Sequence, residues 1–69
     1  SDETLYEHQT NLEKRLVAAR NDAAKLETRL ANERYTSQAP AHLVEESRQQ
    51  LASKQALIGR LVKELQVIE

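Results

Sequence analysis

Leucine and alanine recur through the first half of the chain at Leu5, Leu12, Leu16, Ala19, Ala23, Leu26 and Leu30. Steps of seven, then of four and three in alternation, trace one stripe on an α-helix: a heptad seam with d at Leu12 and a at Leu16. Gln9 is the polar residue in that seam before the tip. The second half repeats the pattern, with Val44, Leu51, Ile58 and Leu65 at a and Ser47, Lys54, Leu61 and Ile68 at d. Both stripes weaken toward the middle of the chain. The run from Leu30 to Glu46 breaks the pattern: Thr36 to Ala39 have no periodicity. Pro40 suits the first turn of a helix, where its missing N–H costs nothing and its φ is already helical. The expected chain is therefore all-α, two long helices forming an antiparallel coiled-coil hairpin. Its helices span about 3–35 and about 40–68, with a loop over about 36–39. Glu45 and Glu46 near the start of the second helix and Lys63 near its end have the signs the helix dipole favours.

A short connection favours antiparallel neighbours, in which a residues of one helix share layers with d residues of the other. Pairing positions whose numbers total about 77 meets that condition. It sets Leu12 against Leu65, Leu16 against Leu61, Ala19 against Ile58, Ala23 against Lys54, Leu26 against Leu51 and Leu30 against Ser47. Small residues thus face large or awkward ones. The same register brings Arg15 near Glu64 and Glu27 near Arg48 on the flanks, where exposed ion pairs contribute roughly 0–1 kcal/mol each. Leu57 and Val62, at g and e, are expected to cover the edge of the seam; contact with a partner is the alternative. A seam this thin leaves the isolated hairpin marginally stable.

Composition narrows the chemistry further. The 69 residues include no Cys, Met, Trp or Phe, one Gly and one Pro, which rules out disulfides, thiolate metal sites and a glycine-rich phosphate loop. Two helices of this size enclose no room for an enzyme pocket. His8 and His42 fall near opposite ends of the hairpin, so they cannot share a metal and read as exposed imidazoles. No Ser or Thr has a nearby base, and no carboxylate has the burial that would raise its pKa. No catalytic residue, metal or cofactor is therefore expected. No apolar run approaches the roughly 20 residues that span a bilayer, and no signal peptide is visible. A cytoplasmic chain without membrane contact is the expectation. The start at Ser1 and the absence of Met fit an excised piece of a larger protein, a single hairpin over residues 1–69.

A net charge of −1 and a pI near 6.1 argue against indiscriminate nucleic-acid binding. The distribution qualifies that. Lys14 to Arg34 holds six basic and three acidic residues, and Ser47 to Lys63 holds four basic and no acidic ones. Laid side by side, the two stretches give the shaft a net +7. Acids collect at Asp2, Glu3, Glu7, Glu13, Glu64 and Glu69 near the open end and at Glu45 and Glu46 near the tip. Such a shaft suits a phosphate backbone; the plainer alternative is the mixed charge that solvates any long helix. No aromatic residues interleave with the basic ones, so base stacking on a single strand is not expected. Tyr35 is expected to fold over the tip and meet Leu43, and Asn32 and Ser37 to stabilise the turn by hydrogen bonds.

Around the tip, Leu30, Asn32, Tyr35, Ala39, Pro40, Leu43, Val44 and Glu45, followed by Leu51, are spaced as in one known family. The sequence resembles the C-terminal coiled-coil arm of valyl-tRNA synthetase. The match is dense over about twenty residues; the flanking helices agree in being heptad-like. Gln38 stands where a Lys often precedes Ala-Pro, and Arg34 where a Gly is frequent before the aromatic. These departures bear on the charge of the tip rather than its shape.

The resemblance implies a non-catalytic arm appended to a class I aminoacyl-tRNA ligase, leaning on the outer corner of the L-shaped tRNA where the D and T loops meet. Its partners would be valine-specific tRNA and the remainder of the parent synthetase, whose other domains would handle ATP, aminoacylation and editing. A helix of about 30 residues reaches roughly 45 Å at 1.5 Å per residue, far enough to touch tRNA away from a catalytic centre. A helical pair cannot enter the narrow major groove of an A-form stem, so recognition would rest on phosphates and shape. From charge and position, the expected contacts are the off-seam basic residues without an obvious acidic partner: Arg20, Lys25, Arg29, Arg34 and Arg60. Arg48, which faces Glu27, and Lys63, which points away from the seam, come next. Two rival readings are the similar C-terminal hairpin of translation-associated ABC ATPases and an interaction module that self-associates weakly through Leu57 and Val62.

Overall fold

The fold comes from a computed structural model, which describes residues 2–68. Ser1, read above as the mark of an excised piece, and Glu69, counted among the open-end acids, lie outside the described residues. Three helices follow one another: α1 over Asp2–Ala31, α2 over Glu33–Gln38 and α3 over Ala41–Ile68. The two long ones lie antiparallel and form a rod measuring 53 × 14 × 14 Å. This is the expected all-α hairpin. Good helix formers fill α1 and α3, and Asp2, Glu3 and Arg29 complement the dipole of α1 at its two ends.

The chain reversal differs from the expected one. The first helix does not run to residue 35; it stops at Ala31, and Asn32 turns extended with φ −83° and ψ 109°. Its Oδ1 accepts the Arg34 N–H at 3.0 Å, which makes Asn32 the N-cap of a new helix. Most of the expected loop is thus helical. α2 is capped by Ala39, whose extended backbone suits the residue before a proline and whose N–H donates to the Tyr35 carbonyl at 2.9 Å. Pro40 stands just ahead of α3, and its carbonyl accepts the N–H groups of Leu43 and Val44 at 3.0 and 3.2 Å. The reversal is built from two helix caps rather than from a loop.

Leu12 and Leu61 are each 1% exposed and centre the core, with Ala19 and Leu65 beside them. Leu16, Leu57, Ile58 and Ile68 pack around this cluster, so the expected layers of Leu12, Leu16 and Ala19 with their partners fall together. Leu57 covers the edge of the seam as expected, and Val62 is half-buried. Nearer the tip, Asp22 meets Lys54 and Arg29 meets Ser47; the numbers of each pair total 76, one away from the expected 77. Leu5, at the outer end of the first stripe, is 49% exposed and lies outside the buried seam.

The two flanking ion pairs do not form. Among the described residues, the pair within 4 Å is Lys54 with Asp22, not Arg15 with Glu64 or Glu27 with Arg48. Long exposed side chains lose more rotamer freedom in such contacts than screened attraction returns.

Candidate nucleic-acid interface

Tyr35 sits on α2 and joins the tip to the start of α3. Its hydroxyl donates to the Leu43 carbonyl at 3.3 Å and lies 3.1 Å from Ser47 Oγ. Ser47 is 3% exposed, a hydroxyl in the seam, where an unpaired polar group would be costly. Arg29 completes its partners, donating from Nη1 at 3.4 Å, and carries its guanidinium 5.8 Å from the centre of the Tyr35 ring. One clasp therefore ties α1, α2 and α3 together. Below it, Ser37 Oγ donates to the Glu33 carbonyl at 2.7 Å and Thr36 Oγ1 to the same carbonyl at 3.3 Å. Tyr35 reaches Leu43 as expected, and Asn32 and Ser37 do stabilise the turn, from a cap and a helix instead of a loop.

The clasp changes the standing of Arg29. It has no acidic partner, as expected, but its side chain is held by Ser47 and Tyr35 rather than free. As a residue it is still exposed, as are Arg20, Lys25, Arg34, Arg48, Arg60 and Lys63.

Halfway along the rod the seam itself supplies a charge. Lys54 occupies a d position opposite Ala23, whose small side chain leaves room for the lysine stem. A lysine can bury its methylenes while its ammonium reaches water, and here the ammonium emerges 3.2 Å from Asp22 Oδ2. A shallow groove on that flank is lined by Asp22, Lys25, Leu26, Arg29, Gln50 and Lys54. Two expected contacts, Lys25 and Arg29, one turn apart on α1, thus stand beside a third cation whose heptad position is in the seam. The signal was available: a lysine at d must send its charge out to one flank or the other.

The remaining candidates do not converge there. By heptad position Arg60 lies on the same flank farther toward the open end, while Arg20 and Arg48, both at e, lie on the opposite flank. Lys63 is at f and Arg34 is on α2. The seven residues therefore spread around the rod rather than forming one surface.

Among the described residues no cluster of His, Cys, Asp and Glu could hold a metal ion, and no helix is long and apolar enough to cross a membrane. What the rod offers is a long surface whose cations are positioned by helix register. Residues 5–69 match the family described as the valyl tRNA synthetase tRNA binding arm. The chain belongs to that family. Comparison with curated proteins and with solved structures gave no match. The family match runs through both long helices, well beyond the tip on which the resemblance rested. In this tRNA-binding arm the spaced tip residues have physical roles: Asn32 caps α2, Tyr35 closes the clasp, and Ala39 and Pro40 carry the chain into α3. Arg34 and Gln38, the two departures, are both exposed on α2. Arg34 contributes a backbone N–H to the Asn32 cap, which any residue there but proline would supply.

Proposed function

We propose that this chain is the appended, non-catalytic arm of a valyl-tRNA synthetase and contacts the outer corner of valine-specific tRNA, where the D and T loops meet. The family match over residues 5–69 carries this reading. The rod's dimensions and cations support it: a body 53 Å long can touch folded RNA far from a catalytic centre, and its shaft is positive against a chain that is slightly negative overall. Aminoacylation and ATP use belong, on this reading, to the rest of a cytoplasmic parent enzyme. The arm adds reach and phosphate contacts, without a cofactor of its own.

Binding through a few phosphates is weak and falls steeply with salt, because each neutralised phosphate releases counterions. The test is a titration of the chain with folded tRNA and with an unstructured RNA of equal length, each at two salt concentrations. Preference for folded tRNA that fades as salt rises is the expected result. Equal binding to both RNAs would overturn recognition of the corner. A mass that grows with concentration, with no affinity for either RNA, would favour the interaction module instead. Arg20, Lys25, Arg34 and Arg60 remain the proposed contacts, with Arg48 and Lys63 next and Arg29 as one whose replacement also disturbs the clasp.

A further inference from the structure

Lys54 is costly where it stands. A thin hairpin gains from every apolar d residue, yet at mid-rod a lysine takes that place and brings an ammonium to one flank. There it joins Lys25 and Arg29, with Asp22 as the sole carboxylate lining the groove, so the groove carries a net +2. Leu26 lies in its lining, and Gln50 adds an amide that can donate. The Arg29 guanidinium is oriented by the Ser47 hydroxyl and the Tyr35 ring, neither of which neutralises it. The Lys54–Asp22 pair is open to solvent, with side chains 37% and 48% exposed, and an exposed pair yields readily to a better anion.

We propose that the groove between α1 and α3 seats a backbone phosphate of the tRNA on Lys25, Arg29, Gln50 and Lys54, and that Asp22 occupies Lys54 until the phosphate displaces it. The inference rests on the tRNA-arm reading and adds which side of the rod meets the RNA. That side is the flank of Asp22, Lys25, Arg29 and Arg60; Arg20 and Arg48 face away. Asp22 then acts as a built-in competitor, which limits affinity and eases release of the tRNA.

The test compares the 69-residue chain with Asp22→Asn, binding folded tRNA at two salt concentrations. Asp22→Asn is expected to bind roughly three- to tenfold tighter at low salt, with a slope of log affinity on log salt steeper by about 0.7–0.9 for one more cation engaged. Glu27→Gln changes the net charge equally but lies on the opposite flank, and its gain should be much smaller; an equal gain would overturn the proposal. Lys25→Gln with Lys54→Gln should lose about tenfold by the same counterion count, while Arg20→Gln with Arg48→Gln should lose little.

If the parent chain prefers folded tRNA and Asp22→Asn leaves affinity and slope unchanged, the phosphate seat is wrong and the arm reading stands. If the parent chain shows no such preference, the arm reading fails, and tripolyphosphate followed by side-chain nitrogen NMR decides the seat alone. Shifts confined to Lys25, Arg29, Gln50 and Lys54 would uphold an anion site there; shifts spread over every basic residue would overturn it.

Discussion

Toward the chain ends, the rod is held by Leu12, Ala19, Leu61 and Leu65, with Leu16, Leu57, Ile58 and Ile68 packed around them. Toward the turn, Ala23, Leu26 and Val44 are still buried, but the contacts between elements become polar: Lys54 to Asp22, Arg29 to Ser47, and Tyr35 to Leu43 and Ser47. Apolar burial is strong and has little directional preference, whereas hydrogen bonds are modest in net energy and strict in geometry. The open half therefore supplies most of the cohesion, and the tip half fixes how side chains and charges are posed. The polar half carries no hidden penalty, since among the described residues no buried side-chain nitrogen or oxygen lacks a partner.

The largest way to break this division is Leu61→Ala. Removing a side chain that is 1% exposed should cost about 2–5 kcal/mol, enough to abolish the thermal transition of a marginal hairpin followed by circular dichroism. A clear transition within a few degrees of the parent chain's would mean that cohesion lies elsewhere. Lys54→Leu sharpens the comparison in the other direction. An apolar d residue facing Ala23 should raise stability by about 1–2 kcal/mol while weakening binding to folded tRNA, a trade visible by running the melt and the titration together. Tyr35→Phe is the smallest: losing the hydroxyl should cost about 0.5–1.5 kcal/mol. Amide exchange should quicken from Leu43 to Ser47 and stay slow around Leu61; equal quickening at both ends would erase the distinction between the halves.

Most of the fold was readable from periodicity. The seam and the antiparallel register came from the heptad positions, because the side chains there have one face available and a slip would bury charge. The tip was harder. α2 has six residues, too few for a hydrophobic period to register, and the cue that remained was Asn32 ahead of Glu33, a capping residue followed by an acid in the first turn. The flank pairs were misjudged because proximity in a register does not oblige two solvated side chains to meet. Lys54 counts toward the charge of the shaft but is absent from the expected contacts because d positions were equated with burial, although a lysine stem can lie in a seam while its head leaves it. Arg29 was recognised as a cation without an acidic partner, but its tie to Ser47 and Tyr35 depends on where α2 sets the ring, which no spacing rule along α1 could supply.

The turn also bears on how quickly the hairpin assembles. Among the described residues none has a positive φ, so the reversal between Ala31 and Ala41 is fixed by caps that any L-residue backbone can adopt. Contacts made there join positions close in sequence, such as Tyr35 with Leu43, whereas the strongest apolar contacts join Leu12 to partners at the far end of the chain. Closing a long loop costs more entropy than closing a short one, and a structured turn shortens every loop that remains to be closed. The clasp is thus placed to nucleate folding, and the leucine cluster to slow its reversal: the rate of formation is governed at one end of the rod and the lifetime at the other.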